Sequence, residues 1–121
     1  MNISVLAVDD SRTMRDMITL ALTSEGFDVS LAEDGEHGLE VLEDIDPDVI
    51  ITDINMPRMD GFGFIDALRE REDTKTIPIL VLTTESSADL KARAREAGAT
   101  GWIVKPFAQD KLVRALRMVA G

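Results

Sequence analysis

The sequence has no cysteine, a single histidine and a single tryptophan, and aromatic residues make up only 4% of it. Without cysteine it has neither a disulfide framework nor a thiolate metal site, and one histidine cannot build an imidazole metal cluster. No apolar run approaches the roughly 20 residues of a membrane-spanning helix. Nothing at the N-terminus pairs a basic stretch with a long apolar one, so a cytoplasmic protein away from membranes is expected. Gly61 and Gly63 lack the strand-to-helix G-x-G-x-x-G arrangement of a dinucleotide site. Basic residues are also scarce: 13 against 23 acidic ones leave a formal charge of −10. Such a chain would be repelled by nucleic acid.

What is present fits one globular domain over residues 1–121, with 45% hydrophobic and 30% charged residues. The charge is unevenly spread. Met1 to Glu85 carries 20 acidic and 6 basic residues, whereas Ser86 to Gly121 carries 3 acidic and 7 basic ones.

Five short runs rich in β-branched residues read as buried strands: Ile3 to Val8, Phe27 to Ala32, Val49 to Thr52, Ile79 to Leu82 and Trp102 to Val104. Helical spacing separates them. Met14, Met17, Ile18, Ala21 and Leu22 form one apolar stripe between a Ser11 cap and Gly26. Leu39, Leu42 and Ile45 form a second before Pro47, and Phe64, Ile65 and Leu68 a third. Ala108, Leu112, Ala115, Leu116 and Val119 form the last. The segment from Ser87 to Ala97 has only Leu90, Ala94 and Ala97 on its apolar side, so it is expected to be the least anchored helix. Strict alternation of strands and helices predicts a parallel sheet covered on both faces. Ligands of such sheets sit beyond the carboxyl ends of the strands.

Those ends carry the chemistry. The first strand runs into Asp9 and Asp10, the third into Asp53, the fourth into Thr83 and the fifth into Lys105 and Pro106. Each has an ordinary explanation alone, as a helix cap, a strand threonine or a solvated lysine; on one edge they make a site. Three crowded carboxylates repel one another unless a cation intervenes, and an all-oxygen donor set suits Mg²⁺. A carboxylate can attack phosphorus to give an acyl phosphate, and Mg²⁺, a lysine and a hydroxyl would stabilise the charge of that transfer.

The segments "VDD", "DINMPRMDG", "VLTT" and "VKPF", in this order and spacing over the whole chain, resemble the receiver domain of two-component response regulators. The resemblance implies a flavodoxin-like (βα)5 fold with strand order 2-1-3-4-5. It also implies that Asp53 accepts a phosphoryl group from a phosphohistidine on a sensor histidine kinase. Asp9, Asp10, Asp53 and the backbone carbonyl of Asn55 would hold Mg²⁺, with Asp10 the expected direct ligand and Asp9 acting through water. Lys105 would pair with phosphoryl oxygens, the Thr83 hydroxyl would move towards them, and the Lys105-Pro106 bond would be cis. A receiver of this kind catalyses its own phosphorylation and dephosphorylation and turns over no separate substrate.

With no linker or DNA-binding module in the sequence, a stand-alone receiver of the chemotaxis type is expected. Its kinase would be CheA-like, and its target the flagellar motor switch or a phosphatase. A phosphorelay intermediate or phosphate sink is the alternative. An Asp-nucleophile phosphatase of the haloacid-dehalogenase type would need a second aspartate at the position of Asn55.

Two residues depart from the family pattern. Trp102 stands where the family usually has a smaller aromatic residue or histidine, and it is expected to couple to Thr83 as part of the switch. Thr84 stands where alanine or glycine is usual and is expected to narrow access, so Thr84→Ala should speed reaction with small phosphodonors. Asn55 and Glu85 flank the same pocket and would tune attack by water. Lys91, Arg95, Lys111, Arg114 and Arg117, beside Trp102, are expected to form a face for an acidic helical or peptide-like partner. His37 reads as a solvated side chain.

Overall fold

The computed structural model describes residues 2–120. Five strands, β1 (Ser4–Val8), β2 (Asp28–Ala32), β3 (Val49–Thr52), β4 (Ile79–Thr83) and β5 (Gly101–Val104), form one sheet in the order β2-β1-β3-β4-β5. Every pairing is parallel. Between the strands run α1 (Arg12–Thr23), α2 (Gly35–Val41), α3 (Gly61–Glu70) and α4 (Ala88–Ala97), and α5 (Gln109–Ala120) follows the last.

The two faces of the sheet hold separate cores because side chains alternate along each strand. Leu6, Val8, Ile50, Ile79 and Val81 point to one side, under Leu42, Phe64, Ile65, Leu68 and Ala94 of the α2, α3 and α4 layer. Val5, Ala7, Val49, Ile51, Leu80 and Leu82 point to the other, under Ile18 and Leu22 of α1 and Leu112, Val113 and Leu116 of α5. β1, β3 and β4 lie inside the sheet and are apolar on both faces, hence their unbroken hydrophobic runs.

Helix starts follow their capping residues. The Ser11 side chain accepts the Met14 N–H, Asp60 that of Gly63, and Ser87 that of Leu90. Met17, expected on the inner stripe of α1, is 45% exposed. It lies one position outside the arc that Ile18, Ala21 and Leu22 bury. α2 is shorter than its apolar spacing suggested: Leu42 is its C-cap, and Ile45 packs from the following loop. His37, expected to be solvated, is only partly so. It is half-buried, and its Nδ1 accepts the Glu33 N–H at 3.0 Å while its own N–H goes to the Asp34 cap.

α4 buries only Ala94, as its thin apolar face implied, and is held mainly at its C-terminal end. There Gly98 adopts φ +118°, and its carbonyl receives Nε and Nη2 of Arg69 at 3.1 and 2.7 Å. The Arg69 Nη1 gathers the carbonyls of Thr74, Lys75 and Ile77. One guanidinium thus ties the end of α4 to the connection between α3 and β4.

Candidate functional site

The ladder of the sheet continues one residue past several strands and thereby fixes the site. The Asp9 N–H donates to Ala32 O at 3.1 Å, the Asp53 N–H to Val8 O at 3.0 Å and the Lys105 N–H to Thr83 O at 2.7 Å. Parallel strands in register therefore deliver Asp9, Asp53 and Lys105 to one edge. The Lys105-Pro106 bond is cis, as expected.

Asp9 and Asp53 are buried, and the Lys105 Nζ lies 2.8 Å from an Oδ2 of each. The other oxygen of Asp9 accepts the Ser11 N–H at 2.9 Å, and the Oδ1 of Asp53 accepts the Ile54 N–H at 2.6 Å. Burial pushes the Asp9 carboxyl above its ordinary value, and the negative charge of Asp53 adds to this, against the opposing pull of Lys105 and Ser11. Burial alone would lower the Lys105 pKa, but its bonds to Asp53 and Asp9 outweigh that and raise it.

Asp10 completes the group as its exposed member. One carboxylate oxygen from each of Asp9, Asp10 and Asp53 lies within 4.8 Å of the others. Three carboxylates and one ammonium leave a net charge of −2, which matches a divalent cation, and the donor set is entirely oxygen. The repulsion that the sequence suggested a metal must relieve is relieved in part by Lys105 itself. The neighbouring carbonyls of Asp53 and Ile54 receive the Thr52 hydroxyl and the Gly61 N–H. Among the described residues no donor occupies the carbonyl of Asn55. The residues present therefore fit Mg²⁺. Gly61 allows this loop to close, because a Cβ there would collide with the Asp53 carbonyl and the Ile54 backbone.

Thr83 is fully buried, and its Oγ1 accepts the Glu85 N–H at 3.4 Å. The Trp102 Nε1 donates to the Glu85 carbonyl at 2.9 Å and not to Thr83, so Glu85 links the two residues by hydrogen bonds. The Glu85 carboxylate in turn accepts Asn55 Nδ2 at 3.0 Å, joining the loops that follow β3 and β4. Thr84 is exposed beside them.

The basic residues divide between two surfaces, where a single face was expected. Lys91, Arg95 and Trp102 line one depression between α4 and β5. Arg114 and Arg117 line a groove with Glu25 at the end of α1, with Arg117 3.7 Å from the Glu25 carboxylate and its guanidinium over the Phe27 ring. Lys111 is exposed on α5. The physical cause is helical rotation: residues 110, 113, 114 and 117 share the side of α5 that meets α1.

The sequence reading missed three residues near the site, Arg15, Asp34 and Arg58. Arg15 donates Nη1 to the Asp9 carbonyl at 2.7 Å, a contact no periodicity foretells. Asp34 caps α2 and is ion-paired with Arg58, which sits at φ +64° in the loop after Asp53. An aspartate before the "GEHGLE" segment is an ordinary N-cap signal and marks Asp34; nothing comparable marks Arg58.

Comparison with known proteins extends these observations. The profile of the response regulator receiver domain matches residues 5–117. A probable chemotaxis protein CheY of Rhizobium etli is 38% identical over 120 residues, covering 98% of this chain and 93% of that protein. The response regulator MprA of Mycolicibacterium vanbaalenii is 36% identical over 117 residues, 97% of this chain and 50% of MprA, so the chain spans about half the length of that relative. Among solved structures, the chemotaxis protein CheY4 of Vibrio cholerae superimposes with a TM-score of 0.94 at 44% identity, over 98% of this chain and 99% of that one. The receiver domain of the sensor histidine kinase PA1611 of Pseudomonas aeruginosa, with a magnesium ion coordinated in its active site cleft, gives 0.91 at 27% identity, over 100% and 99% of the two chains. Among the described residues no helix is long and apolar enough to cross a membrane. A profile match that begins within β1 and ends within α5 takes in every strand end that bears the acidic site, and the chain belongs to the receiver domains of response regulators.

Proposed function

We propose that this receiver takes a phosphoryl group onto Asp53 from a phosphohistidine of a CheA-like sensor kinase in the cytoplasm, and signals the change to a flagellar motor-switch protein or a phosphatase. The observation that carries the reading is the Lys105 ammonium, 2.8 Å from both Asp9 and Asp53, beside an exposed third carboxylate. An Asp53 oxygen attacks phosphorus, the N–P bond breaks, and its electron pair returns to the imidazole nitrogen. Asp9, Asp10, Asp53 and the Asn55 carbonyl would hold Mg²⁺, which would neutralise charge on the transferring group. Lys105 then exchanges its bond to Asp53 for one to a phosphoryl oxygen, and the Thr83 hydroxyl donates to another. Moving Thr83 releases the Glu85 N–H, so the loop after β4 and the weakly anchored α4 rearrange. The surface formed by Lys91, Arg95 and Trp102, with Lys111 nearby on α5, is the face offered to an acidic partner segment; Arg114 and Arg117 contribute through long-range charge only.

Intact-mass measurement after Mg²⁺ and a small phosphodonor tests the chemistry. A phosphoryl adduct on the wild type and none on Asp53→Asn is the expected result; equal labelling of both would refute it. Pull-down with motor-switch and kinase fragments separates a motor regulator from a phosphate sink, which would bind the kinase alone.

A further inference from the structure

Asp9 is held at every polar group it has. Its N–H goes to Ala32 O, Oδ1 takes the Ser11 N–H, Oδ2 takes the Lys105 ammonium, and its carbonyl takes Arg15 Nη1 at 2.7 Å. Asp10 is the reverse: it is exposed, and among the described residues no donor reaches its carboxylate. Among the described residues the half-buried Arg15 forms no ion pair, and its side-chain bond goes to the backbone carbonyl of one of the three clustered aspartates.

We infer that Arg15 is a positioning residue for the Asp10 carboxylate. The Asp9 carbonyl and the Asp10 N–H share one rigid peptide plane, so a bond that fixes the carbonyl also fixes the direction in which Asp10 leaves the strand end. Arg15 is well placed to do this. It stands in the first turns of α1, a helix anchored by the Ser11 cap and by buried Ile18 and Leu22. The clamp passes the rigidity of the helix to the one carboxylate of the three that, among the described residues, has no donor of its own. This inference rests on the phosphoacceptor reading above, in which Asp10 contacts the divalent cation.

Geometry and simple electrostatics make opposite predictions, which makes the inference testable. Removing a cation from the neighbourhood of a Mg²⁺ site should tighten metal binding if charge alone counts. If the clamp counts, losing a charge-assisted hydrogen bond that orients a ligand should weaken binding by about tenfold. Titration calorimetry with Mg²⁺ at fixed ionic strength, with no phosphodonor present, reads this directly on wild type, Arg15→Gln, Arg15→Lys and Asp10→Asn, with urea midpoints measured alongside.

The expected result is weaker binding in Arg15→Gln, partial recovery in Arg15→Lys, which can still donate one bond, and the largest loss in Asp10→Asn. Equal or tighter binding in Arg15→Gln overturns the role of Arg15, as does a Lys variant no better than Gln. A wild type that binds no Mg²⁺ takes the phosphoacceptor reading down as well. Wild-type binding that is lost in Asp10→Asn and unchanged in Arg15→Gln removes only Arg15.

Discussion

Trp102 donates its indole N–H to the backbone carbonyl of Glu85 across 2.9 Å. β5 thereby grips the loop that follows β4, at the residue whose N–H bonds to Thr83 and whose carboxylate accepts Asn55. An indole nitrogen can only donate, and a backbone carbonyl is a partner it can hold without a change of protonation.

Trp102→Phe removes this donor while keeping most of the apolar area. The expected cost is about 1 kcal/mol, the usual net worth of one such bond, read as a lower urea midpoint. In the wild type, tryptophan emission should change when Mg²⁺ and a phosphodonor are added together if, as proposed, the loop it binds moves with Thr83. Constant emission through complete labelling of Asp53 would remove Trp102 from the switch.

Lys105→Met leaves two buried carboxylates, Asp9 and Asp53, facing each other with no cation between. Breaking such a pair from one side costs on the order of 3 kcal/mol near neutral pH. Asp9 is already raised above 3.8 by burial, so its ionisation costs stability as pH rises from 3.8 through the folded value. In the variant that cost is larger, and lowering the pH should restore much of the lost stability. The raised Lys105 pKa gives the other limb: its contribution is complete below 10.5 and is lost as pH climbs through the folded value. The gap between wild type and variant should therefore narrow at both ends of a pH series of urea unfolding curves. A gap independent of pH would mean that the loss is one of packing.

Added Mg²⁺ should stabilise the fold through the same carboxylates. At a hundred times its dissociation constant a ligand specific for the native state contributes about 2.7 kcal/mol. Ligand carboxylates must be ionised to bind, so the gain should shrink as pH falls through the raised Asp9 value. Thermal melts with and without Mg²⁺ at several pH values check this, and a gain unchanged at acid pH would place the ion elsewhere.

Much of this molecule was legible in its sequence, for identifiable reasons. Strand and helix order follows from periodicity, and β1, β3 and β4 stand out because burial on both faces makes them apolar throughout. The edge that carries Asp9, Asp10, Asp53, Thr83 and Lys105 follows from strand ends alone, since a parallel sheet puts those ends on one side. Contacts made by long side chains did not follow. Arg15 reaches back six residues and Arg69 forward as far as Gly98, and each ends on carbonyls that carry no sequence identity. The division of the α5 arginines was lost for a different reason. Charge counted along a helix ignores rotation, and each residue turns the direction by about 100°, which places Arg117 beside Glu25 and away from the Trp102 surface.

The last test concerns the depression beside Asp10, where Asp34 is both the cap of α2 and the partner of Arg58. Burial would raise the Asp34 pKa, but the His37 N–H and the Arg58 guanidinium outweigh it and hold it below 3.8. Its contribution is therefore complete above 3.8 and lost as pH falls through the folded value. Asp34→Ala should cost about 1–2 kcal/mol at neutral pH, the range for loss of an N-cap, and the deficit should vanish in strong acid. Arg58→Ala should cost less, because that side chain is 57% exposed and the cap bond to His37 survives. Equal losses in the two variants would show that the ion pair, and not the cap, holds the start of α2.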